Sequence, residues 1–259
     1  MANASGDFIW YELLTTDLGA AARFYGAVLG WRARSADGSE KGYRLFGTGE
    51  TDVAGSMEIP VCTTPTGMRP MWLGYVAVDD VDAAVSRIVA AGGAKHLPPT
   101  DVPGVGRFSM VGDPQGALFY VMRGAVEGGT STSFHPSKAG HCQWNELAAK
   151  EPAAALSFYG SHFGWEKGDA MPMGELGDYQ FLQHHGQTFG ALMRQPTEAL
   201  PPRWMFYFGV EDIDAATATA TREGAKLLDG PSEVPGGIFT SIVEDPQGAT
   251  FGLVGPRKK

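Results

Sequence analysis

Cysteine is nearly absent from this chain. Of 259 residues only Cys62 and Cys142 are cysteine, and neither sits in a paired metal spacing. That excludes a disulfide framework and makes a reducing compartment the default. Basic charge is also short: 20 Lys and Arg against 29 Asp and Glu leave a net charge of −9. Nucleic-acid binding normally needs a basic face, so no nucleic-acid partner is expected. No apolar run approaches the roughly 18 residues of a membrane span. The stretch Met1 to Asp7 lacks a basic region followed by an apolar core, so no signal peptide is read there. These absences predict a cytoplasmic protein with no membrane partner. Ser-His-Asp arrangements and nucleotide fingerprints are missing too. Pro103-Gly104-Val105-Gly106 has no strand–loop–helix order around it and reads as a turn.

Repetition is what the sequence has. Asp113-Pro114-Gln115-Gly116-Ala117 returns as Asp245-Pro246-Gln247-Gly248-Ala249, 132 residues later. At the same offset Pro103-Gly104 returns as Pro235-Gly236, Trp72 as Trp204 and Tyr75 as Tyr207. Nearer the start of each half the offset is 134, which carries Trp10 and Glu12 to Trp144 and Glu146, and Phe24-Tyr25 to Phe158-Tyr159. A drift of two residues is a loop deletion inside one architecture. The length suits two ordinary domains, so the expected division is residues 1–124, a linker at 125–140 rich in Gly, Ser and Thr, and residues 141–259.

Each half contains two similar units. Phe8 to Thr15 is aromatic and β-branched and reads as a strand; Asp17 offers an N-cap for a helix closed by Gly30. Extended segments follow at Trp31–Ser35, Tyr43–Phe46 and Val53–Ile59, around a polar loop at Ser35–Lys41. A second unit runs from a strand at Met71–Val78 through a helix at Val81–Ala91 to strands at Phe108–Val111 and Ala117–Met122. Residues 141–259 repeat the order, giving four βαβββ units.

The opening Asp17, Phe24-Tyr25 and Leu29-Gly30-Trp31, the later Val78-Asp79-Asp80-Val81-Asp82, and the closing Asp113-Pro114-Gln115-Gly116 resemble the vicinal oxygen chelate superfamily. That group includes glyoxalase I, extradiol dioxygenases, fosfomycin-resistance enzymes and bleomycin-binding proteins; the likeness is to a two-domain bacterial subgroup. The resemblance implies an α+β fold. Its βαβββ units would pair into two curved, mostly antiparallel eight-stranded half-barrels, with helices on the convex side and a cavity on the concave side.

Catalytic relatives hold a divalent metal with two histidines and a glutamate. Counting from the anchoring acids puts Trp10, Leu73 and Tyr120 at those places in the first half, and Trp144, Met205 and Gly252 in the second. Indole, thioether and alkyl groups cannot supply the required donors. The expectation is therefore no metal and no cofactor. A Glu146–His184 or Glu146–His185 pair is the remaining alternative; the six histidines otherwise read as surface or satisfied polar groups.

Strand alternation places Trp10, Glu12, Tyr75 and Tyr120 on the concave face of the first half, and Trp144, Glu146 and Tyr207 on that of the second. Rings stack on planar or cationic ligands, and a partly desolvated carboxylate binds a cation or takes a proton. The expected activity is metal-free binding of a small aromatic or cationic organic molecule. The alternative is a lyase, isomerase or dioxygenase with an unusual metal site, or with Glu12 or Glu146 as general base. Trp31, Trp165, Trp72 and Trp204 read as core. Homodimerisation stays open.

Overall fold

The computed structural model describes residues 3–36, 42–59, 67–126 and 129–258. Cys62 and most of the polar loop after Ser35 lie outside the described residues, as do Met1 and Ala2. The first half contains β1 (Phe8–Thr15), α1 (Leu18–Leu29), β2 (Arg32–Ser35), β3 (Arg44–Thr48) and β4 (Thr51–Glu58). It continues with β5 (Met71–Ala77), α2 (Val81–Ala90), β6 (Ala94–Lys95), β7 (Thr100–Val102), β8 (Gly106–Gly112) and β9 (Leu118–Gly124). The second half begins with β10 (Cys142–Ala149), α3 (Pro152–Phe163), β11 (Glu166–Pro172), β12 (Asp178–His184) and β13 (Gln187–Arg194). It ends with β14 (Arg203–Gly209), α4 (Ile213–Arg222), β15 (Lys226–Val234), β16 (Ile238–Glu244) and β17 (Thr250–Gly255).

Three of the four units read βαβββ, and in the second the two short strands β6 and β7 stand where the others have one. The fold is α+β with two curved, mixed sheets of nine and eight strands. Strand order is β2-β3-β4-β1-β5-β9-β8-β6 in one, with β7 also on β8, and β11-β12-β13-β10-β14-β17-β16-β15 in the other. Each sheet draws its strands from one half of the sequence. Parallel pairs are β1 with β4 and β5 with β9, and likewise β10 with β13 and β14 with β17.

Compactness divides the chain differently. One compact unit is Met1–Ile9, Gly74–Ser131 and Trp144–Met205; the other is Trp10–Leu73, Thr132–Gln143 and Phe206–Lys259. The first packs α2 against α3, and the second packs α1 against α4.

Local chemistry explains the helix limits. Asp17 and Asp80 accept hydrogen bonds from Ala20 N and Ala83 N, each at 2.9 Å, so both N-caps are satisfied. Glu151 gives α3 no such cap, and the amide of Gln115 instead clamps the backbone of Glu151 itself. Its Nε2 donates to Glu151 O at 3.0 Å, and its Oε1 accepts from Glu151 N at 2.8 Å. Gly30 and Gly164 stop α1 and α3 at φ of 69° and 70°, where a Cβ is strained.

The sequence misses β6, β7, β11 and β15. Three of these are sheet-edge strands, β7 pairs only with β8, and most of their residues are exposed, so they carry no apolar alternation. Trp72 and Trp204 are buried, as are Trp31 and Trp165, in agreement with their reading as core.

Candidate functional site

Two Trp–Tyr–Glu hydrogen-bond chains stand at the glutamates, one in each half. On β10, Trp144 Nε1 donates to the Tyr179 hydroxyl at 2.8 Å, and that hydroxyl donates to Glu146 Oε2 at 2.6 Å. On β1, Trp10 Nε1 donates to the Tyr43 hydroxyl at 3.0 Å, and Tyr43 bonds in turn to Glu12. An indole N–H can only donate, so each tyrosine oxygen accepts from it and must aim its single proton at the carboxylate. The direction of both chains is therefore fixed. Burial, and then the negative charge of Glu12, hold the Tyr43 hydroxyl well above its ordinary pKa, so it stays a proton donor.

The glutamates are deep and the rings above them shallower. Glu12 is 3% exposed and Glu146 8%, while Trp10, Tyr43, Trp144 and Tyr179 are half-buried. Register explains how strand residues converge. Glu146 lies beside Ala191 of β13, and Phe181 of β12 lies across from Ala191 on its other side. Tyr179 and Phe181 alternate onto that same face, where Phe181 meets Trp144 and Tyr179 edge-on at 5.8 Å. In the first half Glu12 lies beside Gly55 of β4. A Cβ at Gly55 would overlap the Tyr43 hydroxyl, so glycine makes room for the chain there. The second half has Ala191 at the matching place.

Tyr43 and Tyr179 are functional candidates that strand alternation alone did not single out. The signal was present: Phe46 to Leu182, Met57 to Met193 and Tyr43 to Tyr179 share an offset of 136, once the intervening loop changes length again. Tyr75, Tyr120 and Tyr207 are buried. Tyr75 stacks on Tyr120 at 4.2 Å between centroids and 13° between planes. In the second half the residue beside Tyr207 is Gly252, and the Tyr207 ring lies so close that a Cβ on Gly252 would collide with it. The halves thus differ where the repeat substitutes glycine for tyrosine.

A Glu146–His184 pairing does not form. His184 shares the alternate face of β12 with Gln180 and Leu182, opposite Tyr179 and Phe181. Its Nε2 lies 2.9 Å from Ser5 O, its Nδ1 3.4 Å from Gly164 O and its ring 3.8 Å from Asp7. His185 sits in the hairpin turn with φ of 48°. On that helix-facing side a groove of about 340 Å³ runs between α3 and β12–β13, lined by Pro152, Leu156, Gln180, Leu192 and Arg194.

A profile of the Glyoxalase/Bleomycin resistance protein/Dioxygenase superfamily matches residues 8–121 and again 138–253. The chain belongs to that superfamily. It is 32% identical over 249 residues to the Mycobacterium tuberculosis protein named "Putative glyoxylase CFP32", covering 95% of this chain and 94% of the relative. It is also 32% identical over 264 residues to the Streptomyces peucetius anthracycline biosynthesis protein DnrV, covering 97% and 94%. Among solved structures, the Mn(II)-bound glyoxalase of Novosphingobium aromaticivorans superposes with a TM-score of 0.61 at 18% identity, over 100% of this chain and 84% of that one. The 2,3-dioxygenase LapB of Pseudomonas sp. KL28 gives 0.62 at 15%, over 98% and 94%. At such identities these structures speak for the fold alone.

The positions that the sequence count assigns to the superfamily's metal ligands carry other chemistry. Trp10 and Trp144 spend their N–H groups on tyrosine, Tyr120 is stacked on Tyr75, and Leu73, Met205 and Gly252 bring no oxygen or nitrogen donor. Among the described residues no group of three or more His, Cys, Asp and Glu converges in a metal-binding arrangement. No helix among the described residues is long and apolar enough to cross a membrane.

Proposed function

We propose that the protein binds a small aromatic or cationic organic molecule without a metal, on the sheet faces that carry Glu12 and Glu146. One observation supports this most: at both first-strand positions where catalytic relatives place a histidine, an indole instead begins a directed hydrogen-bond chain to a buried glutamate. A carboxylate held this way keeps its orientation and attracts a cation or an N–H donor, while the half-buried indole offers a ring face for stacking. The anthracycline relative fits this ligand class, since anthracyclines join a planar aromatic system to an ammonium group.

Isothermal titration against daunorubicin, proflavine and tetraalkylammonium ions tests the reading. Binding that weakens at least about tenfold in Glu146→Gln or Glu12→Gln supports it, a loss comparable to one charge-assisted hydrogen bond. Absence of binding across the whole panel overturns it.

A second reading makes one of these glutamates the general base of a lyase or isomerase. The burial of both carboxylates favours it, because a desolvated base at a hydrogen-bonded site can take a proton from a bound carbon acid. Elemental analysis of protein purified without chelator bears on both readings. Stoichiometric divalent metal, lost on Glu12→Ala or Glu146→Ala, would replace them with a metal-dependent reaction.

A further inference from the structure

The two halves share a backbone but not a chemistry at one buried position. Just past β4, Ile59 N donates to Thr15 O at 2.9 Å; just past β13, Gln195 N donates to Ala149 O at 2.8 Å. Both side chains are buried to the same degree, 9% exposed for Ile59 and 8% for Gln195. The isoleucine needs nothing from its surroundings. The glutamine brings a carbonyl oxygen, Oε1, that has no hydrogen-bond partner among the described residues. A buried acceptor left without a donor is costly, and an apolar residue of similar size is what the first half uses at this place.

Alternation gives the face from which this side chain leaves the sheet. Leu192 and Arg194 line the groove with α3, so Ala191, Met193 and Gln195 face the other side. Ala191 is the register partner of Glu146. Gln195 therefore shares a sheet face with Glu146, Trp144 and Tyr179. It lies four residues beyond Ala191, which is about 13 Å along the strand.

We propose that Gln195 is a ligand-binding residue of the second half. Its Oε1 accepts an N–H or O–H from an elongated organic ligand whose other polar end meets Glu146, so the ligand carries two separate hydrogen-bond donors. This assignment rests on the small-molecule reading above, and it selects the second half as the polar site, since Ile59 offers the first half no such acceptor.

The test replaces Gln195 with the residue the first half uses. Without ligand, Gln195→Ile removes an unpartnered buried acceptor, and the expected result is a Tm raised by about 2–4 °C. Daunorubicin, which carries hydroxyl and ammonium donors on an elongated frame, serves as the binding probe. Its affinity is expected to fall roughly tenfold in Gln195→Ile and to hold in Ile59→Gln, the loss of one hydrogen bond to a desolvated group. A Tm that stays level or falls in Gln195→Ile overturns the proposal, because the amide is then already satisfied. So does daunorubicin binding that is indifferent to Gln195. If daunorubicin binds neither form, the small-molecule reading and the Gln195 assignment both fall, whereas binding that weakens in Glu146→Gln but not in Gln195→Ile overturns the assignment alone.

Discussion

The hydroxyl of Tyr25 donates to Asp245 Oδ2 at 2.9 Å, joining the first helix to a loop 220 residues later. Tyr159 makes the reciprocal bond to Asp113 Oδ2 at 3.1 Å. Each aspartate belongs to one copy of the repeated Asp-Pro-Gln-Gly motif, where Oδ1 also accepts from the backbone of the turn: Gln115 N and Ala117 N at 2.8 and 2.9 Å, Gln247 N and Ala249 N both at 2.9 Å. Each tyrosine accepts in turn from a tryptophan, Trp72 at 2.9 Å or Trp204 at 3.0 Å. Each half thus supplies the tyrosine that satisfies the other half's closing motif. This is one physical reason why the compact units cross the sequence halves.

Tyr25→Phe and Tyr159→Phe are expected to destabilise the fold by about 1–3 kcal/mol each. Either change strips a donor from a buried carboxylate and an acceptor from a buried indole N–H. Urea unfolding of the single variants measures it. A loss under a few tenths of a kcal/mol would mean that the two chains contribute little to holding the core.

Burial raises both Asp113 and Asp245 above the ordinary 3.8, against the opposing pull of their hydrogen bonds. A carboxyl with a raised folded pKa contributes stability below its unfolded value and loses it as pH rises through the folded one. The wild type should therefore lose ground to an Asp113→Asn, Asp245→Asn double variant as pH climbs above 3.8 toward neutrality. Urea titrations across that window read the difference. A gap moving in favour of the wild type toward neutral pH would show that the hydrogen bonds outweigh desolvation.

Gly55→Ala should displace Tyr43, because the added methyl would occupy the position of its hydroxyl. Loss of the Trp10–Tyr43–Glu12 chain and overpacking together are expected to cost about 1–3 kcal/mol. Ala191→Gly, at the matching place of the second half, should cost no more than about 1 kcal/mol. Thermal melts and tryptophan emission of the two variants compare them directly; equal effects would argue that Gly55 does not admit the tyrosine.

Tyr179→Phe removes the 2.6 Å bond to Glu146 while leaving the strand intact. Affinity for a cationic probe is expected to fall roughly tenfold with little change in fold, since a hydrogen bond to a charged group contributes about 1.5–3 kcal/mol. Calorimetry paired with circular dichroism separates the two effects. Unaltered affinity would leave Tyr179 a packing residue only.

The duplication, the four-unit order and the α+β class are legible in the sequence alone, because they follow from local periodicity, caps and repeated turn motifs. It also placed Glu12 and Glu146 on one strand face with Trp10 and Trp144, since alternation along a strand needs no tertiary information. The edge strands β11 and β15 escaped it because their exposed residues carry no apolar alternation. Tertiary structure alone decided which hydroxyls reach the glutamates. Tyr43 and Tyr179 lie 31 and 33 residues from Glu12 and Glu146, and only the β3–β4–β1 and β12–β13–β10 registers bring them within bonding distance. It also decided that His184 turns away from Glu146 and that each Asp-Pro-Gln-Gly loop is satisfied by the opposite half. These are consequences of strand register and packing between distant segments, which no local pattern encodes.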